Sequence, residues 1–113
     1  MYERITLKDI IALNQQFDDG TVLNKSSLEY AIEEANRSKS WLKGCALLVR
    51  AVLIDHAFEE GNKRTAAAIM LACFEELELS YNPEKVARTI TNILMKNITN
   101  INTIERLIKD AVV

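Results

Sequence analysis

The chain has 113 residues, 49% of them hydrophobic, with 14 basic and 16 acidic side chains and a formal net charge of −2. That length suits one domain around one core. The near-neutral balance excludes an electrostatic footprint for general DNA or RNA binding, and no apolar run approaches the roughly 20 residues of a membrane-spanning helix. Met1-Tyr2-Glu3-Arg4 opens no signal-peptide core. Cys45 and Cys73 sit in apolar helical surroundings that suit reduced core thiols better than a disulfide or a metal site. A soluble, cytoplasmic protein is expected.

Three glycines and one proline are too few turn formers for an all-β fold, and the periodicities are helical. Thr6 with Asp9 resembles an N-cap and its third-position acid, ahead of the apolar face Leu7, Ile10, Ile11 and Leu13. Asp18-Asp19-Gly20 ends that helix. Thr21, Val22, Leu23 and Asn24 are too few for a helix and have some strand character; they read as an exposed loop or small hairpin. Ser26 and Glu29 form a capping box for a second helix through about Arg37. Trp41 to Ala57 is apolar round most of its circumference and predicts a central buried helix. Gly61 breaks it from the next, whose Ala66, Ile69, Met70, Cys73, Phe74 and Leu77 recur at helical spacing. Pro83, after Asn82, takes the first position of another helix with Val86, Ile90, Ile93 and Leu94 inward. Asn102 and Glu105 cap a last helix carrying Ile104, Leu107, Ile108 and Ala111. The expectation is an all-α single domain over residues 1–113, with about six helices and no repeat or linker.

Chemistry concentrates between His56 and Ala66. This stretch holds the chain's single histidine, the acidic pair Glu59 and Glu60, the turn residue Gly61, Asn62, and two adjacent cations, Lys63 and Arg64. A helix starting at Asn62 exposes unpaired backbone N–H groups and a partial positive charge, which together favour an anion. Gly61 allows a sharp turn and close approach of backbone to phosphate. Lys63 and Arg64 add donors, and Arg can grip two phosphate oxygens with its planar fork. Glu60 can hold Mg²⁺, which typically takes one or two carboxylates plus phosphate oxygens. His56 supplies the side-chain type most often used to accept a hydroxyl proton. Each residue alone has a bland reading: a structural histidine, a solvated acidic pair, ordinary first-turn charges. Two cations at the positive end of a helix are nevertheless unfavourable unless an anion arrives.

The stretch resembles the signature of the Fic/Doc (Fido) family. That signature runs His, any residue, Phe, any residue, Asp or Glu, Gly or Ala, Asn, Gly or Lys, Arg. Here the positions are His56, Phe58, Glu60, Gly61, Asn62, Lys63 and Arg64, with none missing. The resemblance extends from Ile5 to about Val112, and the short chain and the Asn62-to-Ala66 wording look like the Doc branch, the death-on-curing toxins. It implies a helical bundle with the motif between two central helices. By resemblance His56 would be the general base and Phe58 a buried loop anchor. Glu60 would bind Mg²⁺, Gly61 and Asn62 would shape the anion hole with Asn62 contacting phosphate, and Lys63 and Arg64 would hold phosphates. Glu59 matches a variable position and receives no role.

Adenylyl-transferring members usually carry Gly where Lys63 stands, a second Arg where Ala67 stands, and Pro where Ala57 stands. Doc-branch members share the lysine and lack the second arginine. They move the ATP γ-phosphate to a threonine of translation elongation factor Tu. The resemblance therefore implies an ATP- and Mg²⁺-dependent protein phosphotransferase, with adenylyl transfer or a catalytically silent binding protein as alternatives. Thr21 to Asn24 lies where the family carries a flap that docks the target chain by backbone pairing; otherwise it is a plain interhelical connection. The family's inhibitory motif is Ser or Thr, three residues, Glu, then Gly or Asn. Tyr30 to Glu34 has that spacing but the wrong first residue, and Ala35 follows. Regulation by a separate antitoxin protein is the implied alternative.

Overall fold

The computed structural model describes residues 4–113. Six helices run in chain order: α1 (Leu7–Asn14), α2 (Lys25–Arg37), α3 (Trp41–Leu53), α4 (Asn62–Glu76), α5 (Pro83–Met95) and α6 (Ile101–Asp110). The fold is all-α. Its only β pairing among the described residues is two isolated antiparallel bridges, Val22 with Phe58 and Tyr81 with Val112. No described helix is long and apolar enough to cross a membrane.

The most apolar helix takes the centre. In α3 the residues from Gly44 to Val49 and from Ala51 to Leu53 are all buried, and the helix packs against α2, α4 and α6. A Leu or Val side chain moved from water to such a site contributes roughly 1.5–3 kcal/mol. Phe74 of α4 is fully buried and meets Trp41 edge-on with ring centroids 6.1 Å apart, while the Tyr81 ring, tilted by 32°, lies at 5.5 Å. These aromatics are packing residues. Cys45 of α3 and Cys73 of α4 are free, buried thiols. The hydrogen bond to Cys73 and burial hold the Cys45 thiol well above its ordinary pKa, so it stays protonated and unreactive.

Local signals set most boundaries. Thr6 and Asp9 form a complete capping box at α1, and Asn82 caps α5 with Pro83 at its start. Four boundaries differ from expectation. Helix α1 stops at Asn14, short of Asp18-Asp19-Gly20. The cap of α2 is Asn24, not Ser26: Asn24 Oδ1 accepts from Ser27 N at 3.3 Å, and Ser26 is already inside the first turn. Likewise α6 is capped by Asn100, which accepts from Thr103 N at 3.1 Å, and Asn102 lies within the helix. Finally, α3 stops at Leu53 and does not reach Ala57. The apolar residues beyond it are buried for another reason. Ala57 and Phe58, both 0% exposed, run as extended chain beneath the loop from Thr21 to Asn24.

Candidate functional site

Residues 54–61 link the two central helices and carry the motif. The chain leaves α3 through His56, whose φ of 50° lies in the left-handed region. The other non-glycine residues there, Glu78 and Asn97, close helix ends. Leu79 N bonds back to Phe74 O at 2.8 Å behind Glu78, and Ile98 N to Ile93 O at 2.9 Å behind Asn97, the bonding of a left-handed helix stop. His56 has no such closing bond behind it. Its strained backbone throws the imidazole outward, exposed, while Ala57 and Phe58 turn inward.

Phe58 is the anchor the motif leads one to expect, with 0% exposure. Asn62 clamps it: Phe58 N donates to Asn62 Oδ1 at 3.1 Å and Asn62 Nδ2 donates to Phe58 O at 2.9 Å. The Asn62 side chain thus shapes the loop, and any contact with an anion falls to its backbone N–H. Gly61, at φ 77°, is the residue before α4, and no side chain caps that helix. The first N–H groups of α4 therefore lack the partner that N-caps supply elsewhere in this bundle.

The start of α4 borders a cavity of about 530 Å³. His56, Glu60, Gly61, Asn62, Lys63 and Arg64 line it together with Phe17, Asp18, Leu53 and Leu94. Every charged or polar residue assigned from the motif lines this one space, and Phe58 lies beneath it. Among the described residues the imidazole of His56 has no hydrogen-bond partner, so both ring nitrogens are available. No group of three or more His, Cys, Asp or Glu side chains converges to hold a metal among the described residues. Mg²⁺ held by one or two carboxylates and phosphate oxygens needs no such group, and Glu60, with Asp18 on the same cavity, fits that donor set. A second hollow of about 560 Å³ lies between the start of α1 and α2. It has no histidine or cysteine on its lining, and its Arg37 is paired with Glu33 and Glu34 at 2.7 and 3.1 Å.

The segment Thr21 to Asn24 is the loop, not the hairpin, with Thr21 and Leu23 exposed. It pairs with the motif loop itself: Leu23 N and Asn24 N donate to Ala57 O at 2.8 and 3.2 Å, and Glu59 N donates to Thr21 O at 3.0 Å. Val22 sits opposite Phe58 between these bonds, so its own N–H and C=O face the other way, on the outer edge. Leu23 is 63% exposed. Asn24 Nδ2 also donates to Asp55 O at 3.1 Å, and the Asp55 carboxylate accepts from Ser27 Oγ. The edge is thereby held against the residue preceding His56.

Sequence reasoning missed Asn14, Phe17, Asp18, Leu53, Thr65 and Leu94. Only the adjacency of Thr65 to the motif offered any signal; the rest arrive through tertiary packing. Comparison with protein-family models, with curated proteins and with solved structures found no match. The likeness to the Fic/Doc signature therefore rests on His56 to Arg64 themselves.

Proposed function

We propose that the protein is a Fic/Doc-type transferase of the Doc branch, moving the γ-phosphate of ATP to a Ser or Thr hydroxyl of a target protein with Mg²⁺ as cofactor. One observation carries this reading. An uncapped helix start, two cations, a carboxylate and an exposed histidine share a single cavity. Lys63, Arg64 and the N–H groups at the start of α4 would hold the phosphates. Glu60, with Asp18 nearby, would hold Mg²⁺, which when bound offsets charge on the phosphate oxygens. His56 would take the proton of the attacking hydroxyl. The bond from that oxygen to the γ-phosphorus forms, the bridging bond to the β-phosphate breaks, and ADP leaves. The outer edge of Val22 would pair with target backbone beside the cavity. By the same resemblance, a protein like elongation factor Tu is the proposed target and an antitoxin protein the proposed regulator.

Ala67 supplies no cation where adenylyl-transferring members carry a second arginine. Incubation of the protein and Mg²⁺ with extract and ATP labelled at the γ- or the α-phosphate tests the proposal. Label reaching protein from the γ position is expected; label from the α position would replace it with adenylyl transfer. His56→Ala should lower transfer by about 10²–10⁴-fold while ATP·Mg²⁺ still binds. An unchanged biological effect of that variant would leave only a binding role.

A further inference from the structure

Asn14 ends α1 and is 0% exposed, the one fully buried amide side chain among the described residues. Its Nδ2 donates to Glu60 O at 2.9 Å and to Thr65 Oγ1 at 3.0 Å, and its Oδ1 accepts from Gly20 N at 2.8 Å. Thr65, also 0% exposed, passes the constraint on, its Oγ1 donating to Gly61 O at 2.8 Å. Two successive carbonyls, Glu60 and Gly61, are thus held, the first directly by Asn14 and the second by the Thr65 hydroxyl together with the Thr65 N–H at 2.9 Å.

A trans peptide is planar and its C=O and N–H point in opposite directions. Fixing the Glu60 carbonyl therefore fixes the N–H of Gly61, and fixing the Gly61 carbonyl fixes the N–H of Asn62. Successive N–H groups across a left-handed then right-handed residue pair form an anion-binding concavity, and Gly61 at φ 77° followed by helical Asn62 is such a pair. The close approach also explains the glycine, because a Cβ on Gly61 would stand 3.1 Å from Asn14 Nδ2 and 3.4 Å from Asp18 Cβ.

We propose that Asn14 is a positioning residue for the phosphate-binding loop, aiming the N–H groups of Gly61 and Asn62 into the cavity and fixing the backbone of Glu60 without touching the ligand. This rests on the proposed nucleotide site, and the test separates the two. Calorimetric titration with ATP·Mg²⁺ would compare wild type, Asn14→Ala, Thr65→Val, Thr65→Ser and Thr89→Val. Thr89 is a buried threonine of α5 whose hydroxyl donates to Leu107 O, remote from the cavity.

Losing the direct bond should weaken binding about tenfold, and losing the relayed one in Thr65→Val several-fold, about half that effect on a logarithmic scale. Thr65→Ser should restore wild-type affinity, and Thr89→Val should leave affinity unchanged while lowering the melting temperature. At saturating ATP·Mg²⁺ the amide resonances of Gly61 and Asn62 should shift markedly less in Asn14→Ala than in wild type. Should Asn14→Ala fail to fold, the Thr65→Val and Thr65→Ser pair decides. Folded variants binding as tightly as wild type would overturn the role of Asn14 alone. A wild type that binds no ATP·Mg²⁺ would overturn the nucleotide site and this inference together.

Discussion

Helices α1, α2, α3, α5 and α6 each begin under a side-chain oxygen, from Thr6, Asn24, Ser40, Asn82 and Asn100. Helix α4 begins under Gly61, which has none, and carries Lys63 and Arg64 in its first turn. The five capped starts follow the first local rule of stability, an orphan N–H group satisfied by a side chain, while their first turns are mixed in charge: Lys8 beside Asp9, Lys85 beside Glu84, and single lysines, Lys25 and Lys43, in α2 and α3. Among the described helices α4 alone starts without a side-chain cap and alone places two cations in its first turn, and it is the start that opens on the cavity with His56. Where a sequence departs from local consistency at one place, function is the usual compensation.

Phe58→Ala should break that contrast most severely, because it empties the space under the α4 start. A loss of about 3–5 kcal/mol is expected in urea unfolding; a loss near zero would mean the loop is not anchored there. Gly61→Ala forces a Cβ into left-handed backbone and onto Asn14. It should cost about 1–2 kcal/mol and weaken ATP·Mg²⁺ binding. Asn82→Ala removes an ordinary cap. It should cost about 1 kcal/mol and leave nucleotide binding unchanged, which calorimetry would verify. Lys63→Glu sharpens the comparison in the opposite sense. An acid at the positive end of α4 should raise stability by about 0.3–1 kcal/mol at low ionic strength while nucleotide binding is lost. A variant that is less stable yet still binds would mean the start of α4 is not tuned for an anion.

The helices were legible because their signals are local. Thr6 with Asp9, Pro83 after Asn82, and the stripe from Ala66 to Leu77 each lie within a few turns of chain. The end of α3 was not legible, since Ile54, Ala57 and Phe58 continue an apolar run and nothing local reveals that Phe58 pairs with Val22. The starts of α2 and α6 were misplaced by two residues, because Asn24 and Ser26, like Asn100 and Asn102, are all competent caps by type. The lining from His56 to Arg64 was legible as a contiguous stretch. The apolar lining was not: Phe17, Leu53 and Leu94 come from three separate parts of the chain. Asn14 was invisible for the same reason, since a polar residue at the end of a short helix reads as solvated.

Asn14 meets Glu60 across 46 positions and Thr65 across 51. Closing such long spans carries an entropic cost met only when the rest of the chain is already arranged. The hairpin of α3 and α4, by contrast, joins sequence neighbours and can organise quickly. Partly folded chains would therefore hold most of the helix content before they hold a competent cavity, and helicity would recover ahead of ligand capture after dilution from denaturant.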